Sequence, residues 1–514
     1  MNIKRNTYIL WGGIVSLFAA MLVIWGYTFG HENSIQLIPL ALHSHDPSLF
    51  AHDFYVSHAA ERFPNERSFF LFLLYPFGLS LEWPAFILFT AFSLLLLRSL
   101  IGIAQHITGS HSLAFGALII LIFPFNFHAL GMNELFSREL TATLVSDATA
   151  AFALWMFLRM RLGLSYTALI ISTLMHPLAG LQMFMLITGT AVIGALFKRD
   201  LRYITRSLLI PIVAYSATAM LFIIRLHSGL DDTAWDDATF FQYFFVFRNA
   251  HHYIPTAFPH NDWIMLTPIF LLAPILLWKK HRDLAILSLL IITGCIFYSI
   301  GVLELRSVTI ATAQWFKSTM WLECIGVCAL LGAGSRLLTT CTSAYAQPVV
   351  FNLAVAFSVF WMLTIFPTYS FWGTNTAYEF PFYLRMTPEI DISQKAMAYT
   401  PKDALFIQPA GFDELKYYSH RSSYVDYKAL THTKGFIREW ADRFRQVYLV
   451  DPGQTEVISF DAVRLADAHF RKLTAADLSV LHQAYGITHV ITFADTQLPY
   501  PVLAENAVYK IYQL

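Results

Sequence analysis

Long apolar segments, separated by stretches that contain charged or turn-forming residues, recur along the chain as far as residue 366. Eleven of these segments approach the roughly 20 residues that an α-helix needs to cross a bilayer. The pattern predicts an α-helical polytopic membrane protein with about eleven transmembrane helices. The predicted spans are residues 8–27, 84–104, 113–127, 140–158, 164–178, 181–197, 203–224, 263–278, 284–302, 319–338 and 348–366.

One further apolar segment, Phe69–Leu79, is only about eleven residues long. If it crossed the membrane, every later loop would move to the opposite side. We therefore interpret it as an interfacial or re-entrant part of the first outer loop, which covers residues 28–83.

The pattern changes from Thr387 onward, where apolar runs shorten and charged residues become frequent. The sequence predicts a small soluble α/β domain at residues 387–514, joined by a linker at 367–386 to a transmembrane domain at 1–366. Its predicted strands are 404–409, 489–493 and 507–514, and its predicted helices are 435–445 and 461–485.

The distribution of cations orients the chain, because cytoplasmic loops are enriched in Lys and Arg. One set of loop ends is short and dense in cations, and it includes Lys4, Arg5, Lys279 and Lys280. The opposite loops are longer and their cations are sparser. This predicts a cytoplasmic N-terminus and, with an odd number of spans, a C-terminal domain on the periplasmic side of a bacterial inner membrane.

Composition agrees with a membrane protein, since 56% of the residues are hydrophobic and only 13% are charged. Lys and Arg together number 34, as do Asp and Glu, and this balance gives no reason to expect a nucleic-acid partner. The four cysteines lie in or beside apolar segments without the spacing of zinc ligands, which is typical of buried structural thiols.

The predicted outer loops carry the polar residues that could perform chemistry. They share one membrane face, so carboxylates and cations from separate loops can line one cavity. The relevant residues are His31, Glu32 and Asp53 in the first loop, Arg138 in the second, Asp231, Asp232, Asp236 and Asp237 in the third, and Arg306 and Lys317 in the fourth.

This order of elements resembles the C-type glycosyltransferase superfamily, membrane enzymes that take sugars from polyprenyl-phosphate carriers. The shared features are an inside N-terminus, an acidic residue just past the first helix, cation-bearing outer loops and a soluble α/β domain after the last span. The stretch Gly30–Tyr55 is similar to the first loop of uncharacterised bacterial members, and Met175–Gly180 and Tyr417–Arg421 add weaker similarity. The paired Asp-Glu and Trp-Trp-Asp signatures of the best-known branches are absent, which leaves donor sugar and acceptor open.

The resemblance implies sugar transfer from a polyprenyl-phosphate donor. A carboxylate takes a proton from the acceptor, and a cationic group or a divalent metal stabilises the departing phosphate. Glu32 matches the family's base position and Asp53 is the second candidate. Arg306 and Lys317 lie where the family often binds carrier phosphate, and Arg138 and His31 are further candidates for binding the substrate. No cofactor is implied beyond the metal alternative.

Each candidate also has an ordinary structural interpretation. Glu32 fits a solvated loop or a helix N-terminus, and Asp53 fits the cap of a helix that begins near Phe54. Arg306 and Lys317 fit interfacial residues whose charges reach water. The acidic run at 231–237 fits a solvated loop or a divalent-cation site, and the histidines at 43, 45, 52 and 58 match no ligand spacing.

Asp147 lies about two turns into a predicted span, where an ionised group is costly. It fits either a residue facing a polar cavity or a partner for a hydroxyl on a neighbouring helix. At the level of function, a transporter or flippase for a lipid-linked sugar and a catalytically degenerate scaffold are the alternatives to the enzyme. A transporter usually shows paired internal repeats, and the sequence contains no convincing one.

Overall fold

The structure is a computed structural model. It describes residues 2–30, 33–62, 64–126, 130–227, 235–341, 346–364, 378–380, 383–454 and 457–514. The protein is mainly helical and contains a small C-terminal sheet. It divides into two compact units, each built from three stretches of chain. The helical unit comprises Met1–Gly26, Ile87–Arg225 and His251–Asn375, and the α/β unit comprises Tyr27–Phe86, Leu226–Ala250 and Thr376–Leu514.

Eight helices in the described part of the chain are long and apolar enough to cross a membrane, which identifies an integral membrane protein. They are Thr7–Trp25, Glu82–Thr108, Pro177–Lys198, Ile204–Ile224, His260–Leu277, Arg282–Leu303, Val308–Thr339 and Ala346–Thr364. Their outer faces expose large apolar side chains, such as Ile210 at 75% and Leu353 at 60%. Such faces suit contact with lipid and are disfavoured in water.

Three of the predicted spans form shorter apolar helices, at His111–Phe125, Ala142–Leu158 and Leu162–Met175. At 1.5 Å per residue these helices are roughly 20–26 Å long, compared with a hydrocarbon core of about 30 Å. The total of eleven spans therefore remains a prediction, whereas the eight long apolar helices are observed.

The remaining elements of the helical unit are short or continue a longer helix. The helix that contains the span Thr7–Trp25 begins at Asn2 and ends at Trp25. The span Ile204–Ile224 is preceded by the helical turn Leu201–Tyr203, and its last segment is Leu221–His227. The other helical segments of this unit, most of which are parts of the helices named above, are Leu121–Phe125, Leu130–Met132, Ile204–Leu208, Leu209–Tyr215, Ser216–Met220, Pro255–Ala257, Val308–Thr312, Trp315–Ser318 and Thr319–Cys341.

The sheets of the α/β unit contain seven strands in the described residues: β1 (Tyr378–Phe380), β2 (Tyr383–Leu384), β3 (Leu405–Ile407), β4 (Ser422–Ser423), β5 (His489–Phe493), β6 (Val502–Glu505) and β7 (Tyr509–Gln513). Strands β1 and β2 form an antiparallel pair. The other five form a mixed sheet in the order β4-β3-β5-β7-β6. β3 runs parallel to β4 and β5, whereas β7 runs antiparallel to β5 and β6.

Helices from all three stretches of chain complete the α/β unit. The first stretch contributes Ser34–His45, Phe54–Glu61, Ser68–Leu74 and Tyr75–Phe77, and the second contributes Asp237–Phe240 and Phe241–Arg248, followed at the unit boundary by Ala250–Tyr253. The third contributes Pro388–Tyr399, Leu415–Ser419, Lys434–Tyr448, Ser459–Phe470 and Ala475–Tyr485. A buried apolar core that includes Ile392, Phe406, Phe412, Ile491 and Ile511 packs helix and loop residues against the sheet.

Two features of this unit differ from the sequence-based expectation. The region 461–485, predicted as one helix, forms two helices, because Thr474 caps the second in a reciprocal capping box with Asp477. The C-terminal region also does not stand alone, since residues 27–86 and 226–250 belong to the same compact unit. The predicted linker at 367–386 falls mostly outside the described residues.

Candidate functional site

Asp53, the second base candidate, is buried and occupies a fixed structural position in the α/β unit. It caps the helix Phe54–Glu61, because its Oδ1 accepts a hydrogen bond of 2.9 Å from the Val56 amide. Its Oδ2 accepts a second bond of 2.9 Å from the Ser423 amide on β4. The capping interpretation is therefore observed directly, and the proposed catalytic role remains a prediction.

Lys416 connects Asp53 to a second buried carboxylate. Its Nζ lies 2.5 Å from Asp426 Oδ2 and 3.8 Å from Asp53 Oδ1, and its side chain is only 3% exposed. Burial raises the pKa of Asp53, and nearby Asp426 adds to this effect. Burial alone would lower the pKa of Lys416, but the two carboxylates outweigh it and raise this pKa. The trio is an internal ion network that joins the first inter-helix segment to the C-terminal segment.

The two sequence segments that carry the family resemblance in this unit lie against each other. Gly30 has a φ of +72°, and a Cβ atom there would approach Tyr417 Cδ1 to 2.4 Å. The Tyr418 hydroxyl donates a hydrogen bond of 3.3 Å to the Phe29 carbonyl, and the Tyr417 hydroxyl donates one of 2.9 Å to Glu82. The segment that leads into Glu32 is thus packed against two tyrosines of the C-terminal region.

Glu32 and His31 themselves lie outside the described residues, as do Asp231 and Asp232 of the acidic run. The structure describes the neighbours of Glu32 on both sides. Gly30 precedes it, and the helix Ser34–His45 follows it with Ser34 and Ile35 buried. The role of Glu32 as the base therefore stays a prediction. The residues on both sides of it, Gly30 and the start of the helix Ser34–His45, are packed against other parts of the α/β unit.

Lys317, a predicted phosphate-binding residue, lies in the helical unit and is only 7% exposed. Asp147, an acidic residue of the same helical unit, contributes to the electrostatic environment of Lys317. Asp147 is 1% exposed, and its Oδ1 has no hydrogen-bond partner among the described residues. An ionisable side chain buried among apolar helices is costly, and such residues commonly mark a substrate or ion site.

The turn that carries Lys317 is braced by the neighbouring helix. Gln314 adopts a left-handed conformation with φ +42°, which is uncommon for a residue other than glycine. The Gln182 amide donates hydrogen bonds of 2.6 Å to the Ala313 carbonyl and 3.0 Å to the Gln314 carbonyl. These bonds hold a strained backbone in place, an arrangement that is often associated with functional sites.

The other two predicted cations of this unit differ in exposure. Arg306 lies in the connection after Arg282–Leu303, is exposed and has a φ of +46°. Arg138 is half-buried in the connection before Ala142–Leu158. Lys317 is thus the buried member of the three, and burial is the property that strengthens its interaction with an anion.

The segment Met175–Gly180, which adds to the resemblance, forms a tight junction between two helices. His176 Nδ1 accepts a hydrogen bond of 3.3 Å from the Ala179 amide and so caps Pro177–Lys198. A Cβ atom on Gly180 would lie 2.2 Å from the Thr173 backbone nitrogen. Both residues therefore have structural roles at this junction.

A small cavity in the helical unit is lined by Leu121, Asn126, Asn133, Leu135, Phe136, Met320 and Glu323, with a volume of about 10 Å³. This volume is close to the minimum needed for a single water molecule. Among the residues that the structure describes, no group of three or more His, Cys, Asp or Glu side chains is arranged to hold a metal ion.

Sequence reasoning did not single out Lys416, Asp426 or Gln182. Lys416 directly precedes the Tyr417–Arg421 segment that carried part of the resemblance, so its position offered a weak signal. Asp426 and Gln182 are residue types found throughout the chain, and their positions carry no motif. Asp426 accepts a hydrogen bond from Lys416, ten positions earlier, and the Gln182 amide donates one to the Ala313 carbonyl, 131 positions later.

A comparison with protein families places one match within the α/β unit. The family described as a domain of unknown function, DUF6798, matches residues 388–447. No curated protein matches the chain. The matched range contains Lys416, Tyr417, Tyr418 and Asp426, so it includes the tyrosines beside Gly30 and two members of the buried ion network.

Proposed function

We propose that this protein is a membrane glycosyltransferase that takes a sugar from a polyprenyl-phosphate donor and passes it to an acceptor on the outer membrane face. In this proposal about eleven helices cross a bacterial inner membrane. The N-terminus is cytoplasmic and the α/β unit is periplasmic. The acceptor is a lipid, a glycan or a protein.

The observation that carries the proposal is the packing around the segment that holds Glu32. Gly30 lies against Tyr417, and Asp53, further along the same inter-helix segment, is bound to Ser423 and Lys416. A catalytic carboxylate must be held in a defined orientation by a rigid scaffold. The contacts of Gly30 and Asp53 with the C-terminal region support a scaffold of this kind, and the resemblance assigns Glu32 the role of base.

In the proposed reaction the Glu32 carboxylate removes a proton from the acceptor nucleophile. The nucleophile forms a bond to the anomeric carbon of the sugar as the bond between that carbon and the carrier phosphate oxygen breaks. The phosphate leaves with the bonding electron pair. The resemblance assigns the stabilisation of this negative charge to a cationic group or a divalent metal.

The direct test is transfer by the full-length protein in vesicles that contain radiolabelled undecaprenyl-phosphate sugars. A membrane extract supplies the acceptor. With at least one donor, we expect undecaprenyl phosphate to be released in vesicles that contain the protein and not in vesicles that lack it. Movement of the labelled donor across the vesicle membrane without any transfer would instead support the transporter alternative. Neither activity with any donor would support the scaffold alternative.

The phosphate-binding role of Lys317 has its own test. Undecaprenyl phosphate should bind the full-length protein more tightly than undecaprenol, which lacks the phosphate. Lys317→Gln should remove this preference, and Lys317→Arg should retain most of it because the charge is kept. Lys280→Gln, which changes an exposed cation, is the matched control. An unchanged preference in Lys317→Gln would exclude this role.

A further inference from the structure

We propose that residues 68–83 of the α/β unit form a membrane anchor whose outer face inserts into the lipid interface. The stretch from Ser68 to Leu81 contains no charged residue. It folds as the short helices Ser68–Leu74 and Tyr75–Phe77, which together cover ten residues. At 1.5 Å per residue this is about 15 Å, half the thickness of the hydrocarbon core, so the segment is too short to cross.

The anchor has two distinct faces. Phe70 and Leu74, one helical turn apart, are 1% and 3% exposed and pack into the unit. The opposite face presents Phe72 at 52%, Tyr75 at 52% and Leu79 at 54% exposure. A continuous apolar face with no charge along it is unfavourable in water and suits an apolar environment.

Attachment to the rest of the α/β unit fixes the orientation of the anchor. The Tyr75 ring stacks on His45 with centroids 4.4 Å apart. The Asn65 side-chain amide donates a hydrogen bond of 2.9 Å to the Ala59 carbonyl, and Arg67 donates one of 2.6 Å to Gln36. These contacts fix the segment just before the anchor and one side of the Tyr75 ring, while Phe72 and Leu79 stay exposed.

The position of the anchor in the chain indicates that lipid is what contacts its outer face. The candidate membrane span Glu82–Thr108 begins directly after it, so the anchor must end at a membrane surface. Trp83, in the first turn of that span, is 47% exposed. Tyr and Trp are enriched where proteins meet the lipid headgroups, and Tyr75 and Trp83 supply both types here.

The test uses bimane attached to cysteine in the full-length protein, reconstituted in phosphatidylcholine vesicles. The variants Phe72→Cys and Leu79→Cys report on the outer face at two separate positions. Ile210→Cys, on the exposed face of a candidate span, is the lipid control, and Val480→Cys, exposed on Ala475–Tyr485, is the aqueous control. The labelled unmodified chain provides the background from its native cysteines.

Doxyl-labelled phosphatidylcholine should quench bimane at residues 72 and 79 to an extent similar to residue 210, and aqueous iodide should quench residue 480 selectively. Strong iodide quenching at residues 72 and 79 would show that the face is in water. Quenching by neither reagent would show that protein covers it. Either of these results would overturn the proposal.

Discussion

Asp53 Oδ2 accepts a hydrogen bond of 2.9 Å from the backbone amide of Ser423, a residue 370 positions further along the chain. The same carboxylate caps a helix of its own segment through Oδ1. One side chain therefore fastens the first inter-helix segment to the edge strand of the mixed sheet. Both carboxylate oxygens are needed as acceptors, which makes the position sensitive to substitution.

We expect Asp53→Ala to lower the free energy of unfolding of the α/β unit by about 2–4 kcal/mol, since it removes a cap and one partner of a buried lysine. Asp53→Asn should cost less, because an amide retains one of the two acceptors. The measurement is thermal and chemical unfolding of the purified protein, followed by fluorescence.

Asp391→Asn is the matched control, because it disrupts a partly exposed pair with Lys395 and should change stability by less than about 1 kcal/mol. An Asp53→Asn protein with unaltered stability but no transfer activity would contradict a structural role and favour the catalytic one.

Gly30→Ala should also destabilise the α/β unit, by about 1–3 kcal/mol, because the left-handed backbone and the contact with Tyr417 both oppose a Cβ atom. Gly78→Ala is a close control, since Gly78 has a φ of +66° and nothing within 4 Å of its Cβ position. The difference between the two melting temperatures isolates the tyrosine contact. Equal effects of the two substitutions would show that this contact is unimportant.

The pH dependence of the α/β unit should reflect His489. Burial lowers the pKa of His489 from 6.5 to about 4, and Arg421 acts in the same direction. The folded state therefore binds its proton less readily than the unfolded state, so the stabilisation is present above pH 6.5 and is lost as the pH falls towards 4.

His489→Gln, which cannot titrate in this range, should reduce the loss of stability across this window by on the order of 1 kcal/mol. Unfolding curves of both proteins at a series of pH values would measure this difference in the loss of stability. The same slope in the variant and the unmodified chain would rule out His489 as the source. His420 and His432, whose pKa values are also lowered by burial, should account for part of the remaining slope.

Local patterns were sufficient to predict several elements of the α/β unit. The apolar, β-branched run at 489–493 predicts β5 at its observed bounds, and β3 lies within the predicted 404–409. Strand β6 was missed because its residues are half-buried or exposed at a sheet edge. The joining of 27–86 with the C-terminal region could not be predicted, since contacts such as Asp53 with Ser423 have no local signature.

At the candidate site, too, some features could be predicted from the sequence and others depend on long-range contacts. Charge and position were enough to select Lys317 and Asp147, and the structure shows that both are buried in the helical unit. The brace from Gln182 to the Gln314 carbonyl connects residues 132 positions apart, and no sequence spacing indicates it. Asp53 could be recognised as a helix cap from its position before Phe54, whereas its ion pair with Lys416 could not.

The most direct measurement of the central claim is sugar transfer by Glu32→Gln in vesicles that contain an undecaprenyl-phosphate sugar accepted by the unmodified protein. Loss of a general base should lower the rate by roughly 10²–10⁴-fold, and binding of undecaprenyl phosphate should remain unchanged. Transfer at the unmodified rate would contradict the assignment of Glu32 as the base and, with it, the proposed mechanism.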